Sequence, residues 1–164
     1  MPDFMIYDDL FAPNQEIEMK FTGPNPFSMV KKTADVFRRH FEISGTKFTQ
    51  KDTRYDYSGE TRKFFIEMEM KREEDGFTNL WLDLKFQGEF HAETRVGWCR
   101  FWIYSQLMTK LEEGNFIRFL LSRIYLQLFY KQHRIQMLKR NNERARMALN
   151  DVRQLFRLPV RPEV

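Results

Sequence analysis

The sequence predicts an α+β protein: an antiparallel meander sheet with one short helix after the first strand and one long C-terminal helix gripped by the sheet. Three observations lead there. Period-two alternation of apolar and polar residues dominates residues 46–106, two other stretches carry apolar residues at helical spacing, and short turn signals separate the alternating runs. With 164 residues, 42% hydrophobic and 16% aromatic, the chain has the apolar mass for one core and too little length for two.

Each element follows from its residues. After an aromatic-rich lead (Phe4, Ile6, Tyr7, Leu10, Phe11), Ile17, Met19 and Phe21 alternate with Glu16, Glu18 and Lys20, the mark of a strand with one wet face. Asn25 is placed to cap a helix whose first position takes Pro26, where the missing N–H costs nothing. Phe27, Val30, Ala34, Phe37 and Phe41 then make one apolar stripe, and Gly45 supplies the stop. Next come alternating runs at 48–57, 64–71 and 80–87, with Gly59 and Asp75-Gly76 as turns. Their inward face is Phe64, Ile66, Met68, Met70, Leu80, Leu82, Leu84 and Phe86, joined by Phe90. The last strand, 96–104, puts Cys99, Phe101 and Ile103 on one face and Trp98, Trp102 and Tyr104 on the other; that aromatic side reads first as core covered by the first helix or the N-terminal lead, and, if left open, as a partner or ligand surface.

A long helix is expected from Gly114 to Pro159. Ile117, Leu121, Ile124 and Leu128 begin a heptad seam that continues through Lys131, Ile135, Leu138 and Asn142 to Ala145, Leu149, Val152 and Phe156. Such a helix is too long for the body, so it overhangs or bends near Asn141-Asn142. Residues 116–130 are apolar nearly all round and belong to the core. The chain therefore divides into a sheet domain over 1–130 and a protruding basic helical extension over 131–164.

The order of strand, helix, meander and long last helix is similar to the helix-grip layout of the START and polyketide-cyclase-like (SRPBCC) superfamily, over residues 17–130. The resemblance implies a cavity between sheet and helix for an apolar small molecule, and on that alternative a carrier or sensor with Trp98, Trp102, Tyr104, Leu82 and Phe86 as the ligand-binding residues. The filled inward face speaks against such a void.

Charge points elsewhere. The formal net charge is +4, yet residues 1–114 hold 16 basic and 20 acidic side chains, whereas residues 115–164 hold 11 and 3. A basic element on a mildly acidic body points to a polyanionic partner or to a second copy. Flank positions of the helix carry Lys139, Arg146 and Arg153 on one side and Asn141, Ala148 and Leu155 on the other. Opposite charges do not answer each other there, so a simple homodimeric zipper is poorly specified, while an oligomer laying the C-terminal helix on another copy stays open. RNA or a ribonucleoprotein particle, such as a ribosome, is then the expected partner. Lys139, Arg140, Arg144, Arg146, Arg153 and Arg157 would contact phosphate, with Lys31, Lys32, Arg38 and Arg39 of the first helix extending the surface.

Enzyme chemistry has little to stand on. Glu67, Glu69, Asp83 and Glu89 alternate with Lys71 and Lys85, as on a solvated face with cross-strand ion pairs. His40, His91 and His133 lie in separate elements, so no metal site is expected, and no cofactor motif is present. The lone Cys99 has no neighbouring base and reads as packing. A single cysteine, an acidic N-terminus (Asp3, Asp8, Asp9) and an apolar stretch broken by Arg118 and Arg123 together suggest a reducing cytoplasm and no membrane span.

Overall fold

The computed structural model describes residues 4–111, 124–125 and 130–159. Six strands form one antiparallel sheet: β1 (Phe4–Asp9), β2 (Glu16–Pro24), β3 (Phe48–Asp56), β4 (Thr61–Glu73), β5 (Thr78–His91) and β6 (Val96–Leu111). Helix α1 (Ser28–His40) follows β2, and a single 3₁₀ turn (Gly45–Lys47) leads into β3. The last described helix, α2, spans Lys131–Phe156.

The sheet order is β1-β6-β5-β4-β3, with β2 also on β6. From β3 to β6 it is the meander that the alternation predicts. The aromatic lead turns out to be a strand, so the sheet has one more than the spacing suggested. The two N-terminal strands share one edge of β6: β1 pairs with its end (Phe4↔Leu111 to Asp9↔Gln106), and β2 with its beginning (Glu16↔Tyr104 to Pro24↔Val96). Where the chain crosses between them, the Leu10 N–H donates to the Ser105 carbonyl at 3.0 Å, and Leu10 and Phe11 are buried.

One face of the sheet carries the core. Phe64, Met70, Leu80, Leu82, Leu84 and Phe86 are buried there, as their period-two spacing requires, and Phe86 stacks on Phe101 at 5.0 Å. Both described helices lie on this same face. Helix α1 buries Met29, Val30, Thr33, Ala34, Val36 and Phe37, with Phe37 against Phe101 at 6.0 Å.

Its ends differ from the sequence reading. Asn25 has φ 49°, and its carbonyl rather than its side chain accepts the Ser28 N–H at 3.0 Å. The helix thus opens through a tight turn, leaving Phe27 exposed beside Tyr55 and Phe64. It stops at Glu42, with φ 53°, where the Ile43 N–H reaches back to the Arg38 carbonyl at 3.0 Å, before Gly45 is reached.

Helix α2 does not stand off the body. Its 26 residues rise about 39 Å, and along that length it is tied to β5, β1, α1 and β2. At its start the Tyr130 hydroxyl meets Thr78 Oγ1 at 2.6 Å and Arg134 pairs with Asp8, midway the Asn142 amide donates to the Leu10 carbonyl at 2.5 Å, and at its end Phe156 packs on Phe21 at 5.2 Å. The helix runs through Asn141-Asn142 without a break. Its buried residues are Met137, Asn141, Ala145, Ala148, Leu149, Val152 and Phe156. The second half of the expected seam is therefore right, and the first half is turned by one position, with Asn141 inside instead of Asn142. The surface on which a helix-mediated oligomer would be zipped is thus buried within this subunit. Most of the stretch expected to be gripped, 116–123 and 126–129, lies outside the described residues; Ile124 and Tyr125 are exposed.

Candidate nucleic-acid interface

The body's acids answer part of the helix's charge. Arg134 meets Asp8 at 2.6 Å, and Arg140 meets Glu74, whose side chain is fully buried, at 2.6 Å. Arg72 holds the other Glu74 oxygen at 3.6 Å and also faces Glu42. Between the helices, Asp151 takes Arg39 at 3.0 Å and His40 at 2.8 Å, and the hydrogen bond from His40 together with the Arg39 charge lowers the Asp151 pKa. Arg38 pairs with Asp35 at 4.0 Å and lies over the Phe48 ring. Arg140, Arg38 and Arg39 are thus engaged within the chain. The sequence showed the cations; it could not show that Asp8 and Glu74, distant along the chain, would come to meet them.

The other predicted contacts divide by place. Lys139 and Arg146 are exposed on α2, while Arg144 is half-buried, with one guanidinium nitrogen enclosed. Lys31, Lys32, Lys139, Arg153 and Arg157 have no acidic side chain in salt-bridge range among the described residues. Three of these gather at the C-terminal end of α2. Lys32 lies over the Phe156 ring at 5.7 Å, Arg157 closes the helix at φ 52°, and Arg153 is bonded only to the Asn150 amide oxygen at 3.1 Å. Arg153 also lines a groove of about 180 Å³ against the outer edge of β2, with Glu18, Lys20, Leu158 and Pro159. Lys20 was not singled out from the sequence; its alternation marked it as wet without indicating that α2 would end beside it. The carbonyl end of α2 favours cations there. Glu18 is the one carboxylate lining that groove, against the two cations Lys20 and Arg153.

At the opposite end of α2 a polar clamp fixes the helix. Tyr130 donates to Asp75 Oδ2 at 2.6 Å, Thr78 links to Thr109 at 2.8 Å, and His133 stands 3.4 Å from Asp75. Burial opposes the charge on Asp75, but the hydrogen bonds from Tyr130, Phe77 N–H and Thr78 N–H outweigh it, and the pKa is lowered. Burial and the same carboxylate push the Tyr130 hydroxyl up. Cys99 is buried, which pushes its thiol up to about 12.

The aromatic face of β6 is not core. Trp98, Trp102 and Tyr104 are half-buried on the sheet face opposite both described helices, whereas Leu82 and Phe86 are fully buried on the inner face. Five residues named together as an apolar ligand site are thus split by the sheet. The reason is register: Lys85 pairs with Trp102 and Asp83 with Tyr104, placing those charged residues, and not Leu82 or Phe86, beside the aromatics. Ion pairs stud this face. Lys51 joins Glu69 at 2.6 Å and Asp83 at 3.0 Å, Lys85 faces Glu67 at 3.9 Å, and Arg100 faces Glu18 at 3.6 Å. The hydrogen bond to Glu69 overcomes partial burial and raises the Lys51 pKa. Among the described residues no three His, Cys, Asp or Glu side chains gather as a metal site, and no helix is long and apolar enough to cross a membrane.

Compared with family models and with curated proteins, the chain matches none. Among solved structures it is similar to a protein of unknown function from Staphylococcus aureus, at 11% identity over 94% of this chain and 95% of that one, with a TM-score of 0.31. A likeness at that level carries no argument about function.

Proposed function

We propose that this protein is a non-enzymatic binding protein that docks on RNA or a ribonucleoprotein particle in the cell interior, through the cationic corner where α2 ends beside α1 and β2. The observation that carries the reading is that Arg153 and Arg157, within one turn of Phe156 on α2, and Lys32 of α1, which lies over the Phe156 ring, lack acidic mates among the described residues. Arginine and lysine without internal neutralisation bind phosphate at the gain of released counterions. The full predicted set of ten cations is narrowed by this reading, because Arg140, Arg38 and Arg39 are paired with acids of the same chain.

Fluorescence anisotropy with a labelled single-stranded RNA tests it. Three phosphate contacts weaken binding roughly 20-fold between about 50 and 200 mM salt. The triple variant K32E/R153E/R157E loses at least tenfold in affinity at low salt, while Lys47→Glu in the 3₁₀ turn has little effect. Binding that ignores salt, or a triple variant that binds like the parent, overturns the reading. The alternative of an apolar carrier has less support, since Leu82 and Phe86 are sealed at 0% exposure.

A further inference from the structure

On the helix-bearing face, the end of the sheet beside the start of α1 carries a cluster of rings that is partly open to solvent. Phe27 meets Tyr55 at 5.8 Å and Phe64 at 5.2 Å, and Tyr55 lies 4.1 Å from Tyr57, just past the end of β3. The open members are Tyr57, 69% exposed, and Phe27, 38% exposed. Arg62 lies over the Tyr57 ring at 5.8 Å. It has no acidic side chain in salt-bridge range among the described residues, and its Nε is enclosed without a hydrogen bond. One row of the sheet joins this cluster to the cationic corner. The register runs Tyr55, Phe64, Gly88, Cys99 and Phe21 across five strands, and Phe21 is the ring on which Phe156 packs. Four strand spacings of about 4.8 Å set the ends of that row about 19 Å apart. Lys32 of the corner follows Phe27 by five residues, a rise of about 7.5 Å along α1.

Exposed rings beside an arginine whose charge is unanswered suit a flat, anionic partner: the rings offer π faces and the guanidinium offers donors to an oxyanion. We infer that this cluster stacks an unpaired base of the same RNA whose phosphates the corner holds, so that the protein selects single-stranded over duplex RNA. The inference rests on RNA being the partner proposed above. The base lies against Tyr57 and Phe27, and Arg62 takes the adjoining phosphate. A span of about 19 Å falls within the several nucleotides, about four or more, that one small single-strand-binding fold covers. In a duplex the base faces are stacked on one another and cannot reach a ring, so a double helix meets only the cations. Phosphate contacts at the corner position any nucleic acid alike, and the rings are what add the preference for an open strand.

Anisotropy titrations of the full chain with a single-stranded RNA of about 12 nucleotides, and with its duplex, test this. The wild type binds the single strand more tightly than the duplex. Tyr57→Ala, at an exposed site, loses at least about fivefold on the single strand, the least that one stacked base accounts for, and removes the preference over duplex. Tyr57→Phe keeps the ring and binds like the parent. The loss in Tyr57→Ala leaves the salt slope unchanged, because stacking releases no counterions, whereas Arg62→Gln makes the slope shallower by about 0.7. A 2-aminopurine base in the strand is quenched on binding the wild type and stays bright on Tyr57→Ala. If K32E/R153E/R157E weakens binding but Tyr57→Ala binds like the parent, or the wild type takes duplex as readily as single strand, this inference alone is overturned. A wild type that binds neither RNA overturns it together with the reading on which it rests.

Discussion

Asn141 sits at the centre of the buried side of α2 at 0% exposure, and neither its amide nitrogen nor its oxygen has a hydrogen-bond partner among the described residues. A buried unsatisfied polar group costs about 1–3 kcal/mol. Replacing it by leucine is expected to stabilise the fold by about 1 kcal/mol, raising the Tm by about 2–4 °C, as read by calorimetry. Asp75 makes the contrary case, a polar residue that is fully used. Because its folded pKa lies below its unfolded value of about 3.9, its contribution is complete above that pH and is lost as the pH falls through the folded value. Thermal melts between neutral and strongly acid pH are expected to show this loss in the wild type and a flatter profile in Asp75→Asn. That variant is also less stable at neutral pH, since Tyr130 and two backbone N–H groups lose a charged acceptor. The sequence announced Asp75 only as a hairpin residue, because Tyr130 is 55 residues away in the chain.

At the scale of elements, ion pairs to the sheet and to α1 supplement the apolar stripe of α2. Glu74 is fully buried between Arg72 and Arg140, so Arg140→Ala strands a carboxylate. We expect a loss of about 1–3 kcal/mol in urea unfolding, less than for a wholly buried pair because Arg140 is half exposed and Arg72 remains, and recovery of much of it in R140A/E74Q. The β5–β6 hairpin has its own tight point. A Cβ on Gly97 would run into the Glu89 carbonyl and the Phe90 Cα, so Gly97→Ala costs about 1–3 kcal/mol by the same assay. Elements with long, regular alternation were legible: β4 and β5 have their inward residues where period two puts them. β1 was not, being a short edge run that ends in two aspartates, and its strand character comes from Leu111 to Gln106 lying ready to receive it. The start of α1 differs for a related reason, since Asn25 can cap either with its side chain or by taking a left-handed conformation, and the Arg95 carbonyl that receives its N–H at 2.7 Å lies just before the neighbouring strand β6, far away in the chain.

For the molecule as a whole, the two-layer arrangement leaves a helical side ending in a cationic corner and an aromatic sheet side studded with ion pairs. The excess of basic residues past position 114 was plain in the sequence, but which of them stay available depended on contacts such as Arg134 with Asp8, 126 residues apart, and no local pattern encodes those. The sharing of β6 has a further effect on how the molecule is made. Nearly all pairing of the first 24 residues is to residues 96–111, so neither β1 nor β2 finds its neighbour until almost the entire sheet has been translated. Contacts at such separation slow folding, because a large loop must close before any of its bonds is gained. Through most of synthesis the amino-terminal strands are an unmated apolar ribbon, the part of a nascent chain on which a holdase would be expected to settle.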